Sequence, residues 1–389
     1  MCHLSTPSGG HREVAGFRPP KVGVGVDPVG GLARNRSPER GVASRMDPHP
    51  KRLGFLSFGA WHPAAGMTNS AAEALRQTVE LAVAAEQIGI DGAFVRVHHF
   101  ARQLSAPFPL LAAIGARTSR IEIGTAVIDM RYENPLYMAE DAAVADLIAG
   151  GRLQLGISRG SPEPAWHGAE AFGYSVDADD AREKTAIFRA AISGEGVVRA
   201  DAGGRPGDVL LPVQPQSPGL SERIWWGSGT RESAAWVGEQ GMNMMSSTLL
   251  LEDTEVPFDE LQAEQIAIFR DAWEAAGHAG TARVSVSRSV MPITSELDLR
   301  LFGHDANEDQ VGWLDGALSR FGRSYAGEPD QIAVELAQDA AVQAADTLLL
   351  TVPSQLGVEY NAAMLGTIAR EIAPSIGWHA QTEDAPGNR

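Results

Sequence analysis

From residue 53 almost to its end, the chain alternates short apolar, β-branched runs with helix-length segments, a rhythm that few folds accommodate. Leu53 to Phe58 reads as a first strand and Ala71 to Ile88 as a helix, with Leu75, Val79, Ala82 and Val83 on one face and Gly89 at its end. Strands at 93–97, 121–127 and 153–157 and helices at 107–118 and 136–148 continue the series. Pro107 and Pro135 fall near helix starts, where a missing amide donor is tolerated. The second half adds strands at 223–226, 243–245, 283–291 and 346–352 and helices at 231–240, 258–276 and 358–372. Eight such units without a recurring sequence period predict an α/β fold of the closed (β/α)8 type, a TIM barrel in one domain. Segments 160–178, 194–222 and 296–328 exceed a minimal barrel and are read as insertions over the face where strands end. Gly203-Gly204, between Val198 and Val209, turns a small hairpin in one of them.

Parallel barrels place their chemistry at the carboxyl ends of strands, and three runs between Asp91 and Gly160 end in polar residues there. DGAFVRVHHF ends near His98 and His99, RIEIGTAVIDMRYENP carries Thr125 to Val127, and GGRLQLGISRG ends near Ser158 and Arg159. Strand alternation sends one histidine into the barrel mouth and the other away. Imidazole suits proton transfer near neutral pH, and it equally suits a buried residue that organises its neighbours. Gly124 to Val127 let a planar ring lie against the backbone, or simply pack small residues. Arg159 is badly placed for a core and well placed for a phosphate. The turn Gly227-Ser228-Gly229-Thr230 offers amides, a hydroxyl and the positive end of a helix dipole, although many strand-to-helix loops carry such residues. Adjacent histidines lack the spacings that put two imidazoles on one ion, so no metal site is expected.

Charge narrows the partners. A formal net charge of -17 argues against sequence-independent binding to nucleic acid or anionic membranes. The sole cysteine, Cys2, excludes an internal disulfide and fits a reducing cytoplasm. No apolar run reaches bilayer length and no signal-peptide pattern opens the chain, so a cytoplasmic protein is expected. Residues 1–45 carry seven basic against three acidic residues, leaving -21 on the remainder. They read as a disordered basic arm or, preferably, as an extension upstream of a true initiator at Met46. Residues 46–378 read as the barrel domain and 379–389 as a disordered tail.

Between Leu53 and Trp378 the sequence resembles the bacterial luciferase-like flavin monooxygenases and their deazaflavin-using relatives. The resemblance rests on VHHF at 97–100, GTAVIDMRYENP at 124–135, AED at 139–141, GGRLQLGISRG at 150–160 and AFG at 171–173. WWGSGT at 225–230 and GEPDQI at 327–332 extend it. One position departs: the luciferase branch places a glutamate before the paired histidines, and here that residue is Val97.

The resemblance implies a catalytic base at His98 and a cofactor-binding set of Thr125, Ala126, Val127, Ser158, Arg159, Trp225, Gly227, Ser228, Gly229 and Thr230. It implies a cis peptide at Ala126-Val127 and places Ser158 near the reactive edge of the flavin. Trp61, His62, Tyr132 and Asn134, from loops at strand ends, are candidates for the substrate pocket or ordinary loop structure.

The implied activity is a monooxygenase that takes reduced FMN from a separate flavin reductase, forms a flavin 4a-hydroperoxide with O2 and oxygenates a small organic substrate. No G-x-G-x-x-G follows a strand, so a built-in nicotinamide domain is not expected. One alternative is deazaflavin-dependent hydride transfer on the same barrel, although a basic cluster for that cofactor's polyglutamate tail is not evident. A second is a non-catalytic flavin-binding subunit. The resemblance also implies a homodimer packed through barrel helices.

Overall fold

The computed structural model describes residues 50–62, 68–160, 172, 178–199, 210–250, 252, 254–303, 310–314 and 317–380. The expected extension at 1–45, the Gly203-Gly204 turn and the tail from 381 lie outside these residues. Eight strands close the barrel: β1 (Arg52–Ser57), β2 (Gly92–Val95), β3 (Glu122–Asp129), β4 (Leu153–Ser158), β5 (Ile224–Ser228), β6 (Asn243–Ser246), β7 (Val284–Arg288) and β8 (Thr347–Val352). All neighbours are parallel, and β1 closes on β8 from Arg52 opposite Thr347 to Ser57 opposite Val352. The outer helices include α1 (Ala71–Ile88), α2 (Pro107–Arg117), α3 (Pro135–Ile148), α4 (Ala178–Ile192), α5 (Arg231–Glu239), α6 (Phe258–Ala276), α7 (Pro329–Gln338) and α8 (Gly357–Thr367).

Local chemistry sets the helix ends. The Ser70 side chain accepts from the Glu73 amide at the start of α1, and Gly89, at φ 98°, ends it in the left-handed region. The buried face of α1 is Ala74, Thr78, Leu81, Ala82 and Ala85, which shares only Ala82 with the predicted stripe; Leu75 is 44% exposed. The stripe was misplaced because Leu75, Val79 and Val83 flank the line of small residues that meets the barrel closely.

Other departures have equally local causes. The strand expected at 283–291 leaves the barrel after Arg288, and Val290–Pro292 pairs instead with Tyr325–Gly327. Arg288 is buried and held by Asp339 at 2.7 and 3.0 Å, and the Tyr325 hydroxyl donates to the same carboxylate at 2.6 Å, which anchors the second pairing. The last helix ends as α-helix at Thr367 and continues as a π-turn over Ile368–Ile372. The insertion at 194–222 joins α4 to β5, so its hairpin (Gly196–Arg199 with Leu210–Pro212) lies toward the amino ends of the strands and not over the predicted face. By contrast, the insertion at 296–328 follows a strand and begins on the carboxyl side with the helix Glu296–Phe302; most of 160–178 lies outside the described residues.

Carboxylates fasten the amino ends. Asp91 accepts from the Leu53 amide at 2.9 Å and the Trp378 indole at 2.6 Å, Asp146 from the Leu153 amide at 2.9 Å, and Asp346 from the Val284 amide at 2.7 Å. Asp146 also holds Ser217 and Arg223, each at 2.6 Å. These strand starts are thus tied to the helical layer, as expected of the barrel face that serves stability.

Candidate active site

A cavity of about 760 Å³ opens at the carboxyl ends of the strands. Its floor is a layer of interior side chains, in which Leu56, Phe94, Trp225, Met245 and Leu349 pack together with Ala126 and Val127 against them. The floor is shaped by an irregularity between β3 and β4. Thr125 faces Leu155 and Ile128 faces Ile157, so Ala126 and Val127 together oppose one residue, Gly156. The peptide between them is cis. A Cβ on Gly156 would stand 2.2 Å from the Thr125 carbonyl oxygen and 2.6 Å from Met245 Sδ, so only glycine fits. Thr125 is itself buried and donates to the Gly156 carbonyl at 2.8 Å.

His98 and His99 both line the cavity, which corrects the expectation that they point oppositely. β2 ends at Val95, and the chain then turns, with the His98 amide donating to Leu104 O at 2.8 Å, so the period of two no longer applies. Ala126, Val127, Tyr132, Ser158, Arg159, Gly227, Gly229 and Thr230 line the same space. Trp225 sits in the floor, its indole donating to Gln154 at 2.8 Å. Ser228 is fully buried and bonds Ser233 at 2.6 Å within the cap of α5. Thr125, Trp225, Ser228, Trp61, His62 and Asn134 are predicted residues that are not among those lining the cavity. The Trp61 amide meets Arg102 O, the His62 amide meets Thr68 O, and Asn134 caps α3 through the amides of Leu136 and Tyr137.

Opposite Ile157, Trp226 sets the register that carries Arg159 alongside the Gly227–Thr230 turn. Arg159 is exposed in the cavity wall. Thr230 caps α5 by accepting from the Ser233 amide at 3.1 Å, and Glu252 takes the Arg231 amide at 3.2 Å, so part of this helix terminus is already satisfied. Charge for an anion therefore comes from Arg159 and from Arg182, a residue the sequence did not single out. Arg182 reaches the cavity from α4 with its guanidinium 4.8 Å from the Trp236 ring centre.

Behind the histidines lies a second missed feature. Asp129 and Arg131 pair at 2.6 Å, both lining the cavity, and Lys184 donates to the Arg131 carbonyl at 2.7 Å. Gly160, at φ 86°, abuts the pair, and a Cβ there would lie 2.2 Å from Asp129 Oδ2. Burial lowers the His99 pKa, with Asp129 opposing the shift, so its imidazole is neutral at neutral pH. Burial also pushes the Glu133 carboxyl up to about 7, against the nearby Lys184 ammonium and aided by Asp129 and Asp141. Among the described residues, no group of three or more His, Cys, Asp or Glu is placed to hold a metal ion.

The Glu133 carboxyl yields a pH prediction. Its folded pKa of about 7 exceeds the ordinary 4.5, so folded protein keeps a proton that unfolded chain releases. Its contribution to stability is full below the unfolded value and declines as pH rises toward the folded one. Glu133→Gln, which cannot ionise, should therefore gain melting temperature relative to wild type between pH 5 and pH 8. Thermal melts with an unchanged difference across that window would refute the assignment.

A family model described as luciferase-like monooxygenase matches residues 55–300. The 4-hydroxyprotoasukamycin monooxygenase of Streptomyces nodosus subsp. asukaensis is 30% identical over 169 residues, 41% of this chain and 44% of its own length. The F420-dependent glucose-6-phosphate dehydrogenase of Kribbella flavida is 29% identical over 181 residues, 44% of this chain and 53% of its own. Across the first curated relatives matched, the chain spans between 31% and 55% of their length. The FMN complex of the oxygenating constituent of 3,6-diketocamphane monooxygenase from Pseudomonas putida superposes with TM-score 0.59 at 18% identity, over 84% of this chain and 98% of that one. That likeness speaks to the fold alone. Through the sequence match over 55–300, the chain belongs to the luciferase-like monooxygenase family, which includes flavin monooxygenases and F420-dependent oxidoreductases.

Proposed function

We propose that this chain is a monooxygenase that uses reduced FMN and O2 on a small organic substrate. The observation that carries the reading is the convergence, in one cavity, of Ala126 and Val127 on the apolar floor, two histidines and an arginine beside a glycine turn. The residues present fit a flavin. Gly227 leaves open the space in which a Cβ would stand 3.3 Å from Ser158 Cβ and 3.5 Å from Val127 Cγ1, giving a planar ring access to the floor. Arg159, Arg182 and the Gly229–Thr230 turn hold the phosphate; Ala126 and Val127 support the ring; Ser158 lies beside it. His98 moves a proton at the reacting edge. The cofactor, when bound, supplies O2 activation and oxygen transfer.

A separate flavin reductase supplies the reduced cofactor. Deazaflavin-dependent hydride transfer is the competing activity, named by the Kribbella flavida relative; a chain that binds flavin without turnover would be the non-catalytic subunit. The Streptomyces nodosus relative, named as a monooxygenase, supports the first choice. No helix among the described residues is long and apolar enough to cross a membrane, and a cytoplasmic enzyme is the accompanying proposal. The partner is a second copy of the chain, docked on the outer face of α3, where Tyr137 is 70% exposed and Val144, Leu147 and Ile148 are each more than 40% exposed.

Two measurements follow. Calorimetric titration of reduced FMN into anaerobic protein should give binding about 10- to 100-fold weaker in Arg159→Ala, with partial recovery in Arg159→Lys, as for loss of a charge-assisted hydrogen bond. Equal affinities in all three would remove the phosphate assignment. In sedimentation, the wild type should run near twice 41.3 kDa and Leu147→Arg near the single mass; a monomeric wild type at micromolar concentration would eliminate the dimer.

A further inference from the structure

The lining of the cavity is divided in a way that the cofactor reading leaves unused. Every charged side chain described there, Arg96, Asp129, Arg131, Arg159 and Arg182, comes from the sector that runs from the end of β2 to β4 and the helix α4 after it. That sector, with the 227–230 turn after β5, is the one given to the histidines, the ring and the phosphate. Across the mouth, the ends of β6, β7, β8 and β1 contribute no charged side chain among the described residues. They present hydroxyls instead: Ser246, Ser247 and Thr248 at the end of β6, and Ser285 and Ser287 on β7. Beside these lie Leu56, Met245 and Leu349 of the apolar floor.

The hydroxyls are free to serve a ligand. Val284 and Val286 pack into the main hydrophobic core, so alternation turns Ser285 and Ser287 to the inner side of β7. Ser285 is only 2% exposed. Among the described residues neither hydroxyl makes a hydrogen bond, and neither oxygen is sealed off, unlike that of Thr347 opposite Ser285 in the next strand. Ser246 Oγ accepts from Gln262 Nε2 at 2.8 Å, and the same amide nitrogen donates to the Ser247 carbonyl at 2.9 Å, which fixes its orientation. Ser247 Oγ accepts from the Leu249 amide at 3.1 Å. Each of these two serines therefore keeps its own proton to donate, and the β7 pair can donate or accept. A charged group in this sector would give up hydration with no counter-ion to replace it, and a bare hydrocarbon would leave the inner hydroxyls unpaired.

We propose that this sector receives a neutral substrate carrying several carbonyl or hydroxyl oxygens on a hydrocarbon frame, its oxygens on the β6–β7 hydroxyls and its carbons against Leu56, Met245 and Leu349. For the reaction performed on that substrate the inference rests on the monooxygenase reading; for binding it does not.

The test uses the full chain, with and without FMN, and four six-carbon-frame probes titrated by ligand-observed NMR: 4-hydroxycyclohexanone, cyclohexanone, cyclohexanecarboxylate and hexanal. The doubly oxygenated neutral probe should bind about 3- to 10-fold tighter than each of the other three. Combining Ser285→Ala with Ser287→Ala should bring it within about twofold of cyclohexanone while FMN affinity stays that of the wild type. Ser287→Thr, which keeps a hydroxyl, should retain the preference. Thr248→Val, which keeps the shape and removes a hydroxyl, should narrow it and serves if the double variant does not fold. Tighter binding of cyclohexanecarboxylate or hexanal, or a preference that survives in the double variant, would overturn the inference. So would a double variant that loses FMN affinity and not probe affinity, since the hydroxyls would then hold the cofactor. Protein that shows the preference but binds no FMN would sink the cofactor reading and leave this one standing; protein that binds FMN without the preference would do the reverse.

Discussion

The site depends on how closely two adjacent strands approach. At Gly156 the backbone of β4 comes so near β3 that a single added carbon would overlap the Thr125 carbonyl oxygen. With that contact in place, β3 slips relative to β4 and sets two small residues, Ala126 and Val127, where a regular strand would set one. The slip gives the cavity a shallow floor and carries the following chain, Asp129 to Tyr132, into its wall. A side chain at 156 would push the strands apart and with them the surface on which a planar ring can lie.

The two ends of the barrel divide the labour. At the amino ends, Asp91, Asp146 and Asp346 are each bound to a backbone amide at a strand start and to a group from elsewhere in the chain. They are charges spent on closure. At the carboxyl ends, polar groups are less completely committed: Arg159 stands exposed, and His99 Nε2 is buried without a partner. The exposed guanidinium is open to a ligand that completes its hydrogen bonds, whereas the buried imidazole nitrogen is an uncompensated cost.

The barrel was legible because each of its strands is a compact apolar run and most helices are bounded by glycine, proline or a capping residue. α1 and α6 begin and end where periodicity places them. What escaped the sequence follows from geometry beyond one element. The burial of Ala74 and Ala85 in place of Leu75 depends on how near α1 comes to the strands. The orientation of both histidines depends on β2 stopping at Val95, and the path after Arg288 on an ion pair with Asp339, 51 residues away. In the site, motif matches pointed to Arg159 and the 227–230 turn, whereas Arg182 comes from a helix with no local signature. Ser246, Ser247 and Thr248, which also line the cavity, did offer one: a run of hydroxyl residues at a strand end.

The most direct measurement is rapid mixing of the reduced-FMN protein with O2, followed by flavin absorbance, beside a titration with reduced deazaflavin. Reoxidation of the flavin on the protein with a time course distinct from free FMN in the same buffer, and weak binding of the deazaflavin, is the predicted result. Reduced FMN that reoxidises as it does without protein, together with tight binding of the deazaflavin, would contradict the account and move this barrel to oxygen-independent hydride transfer.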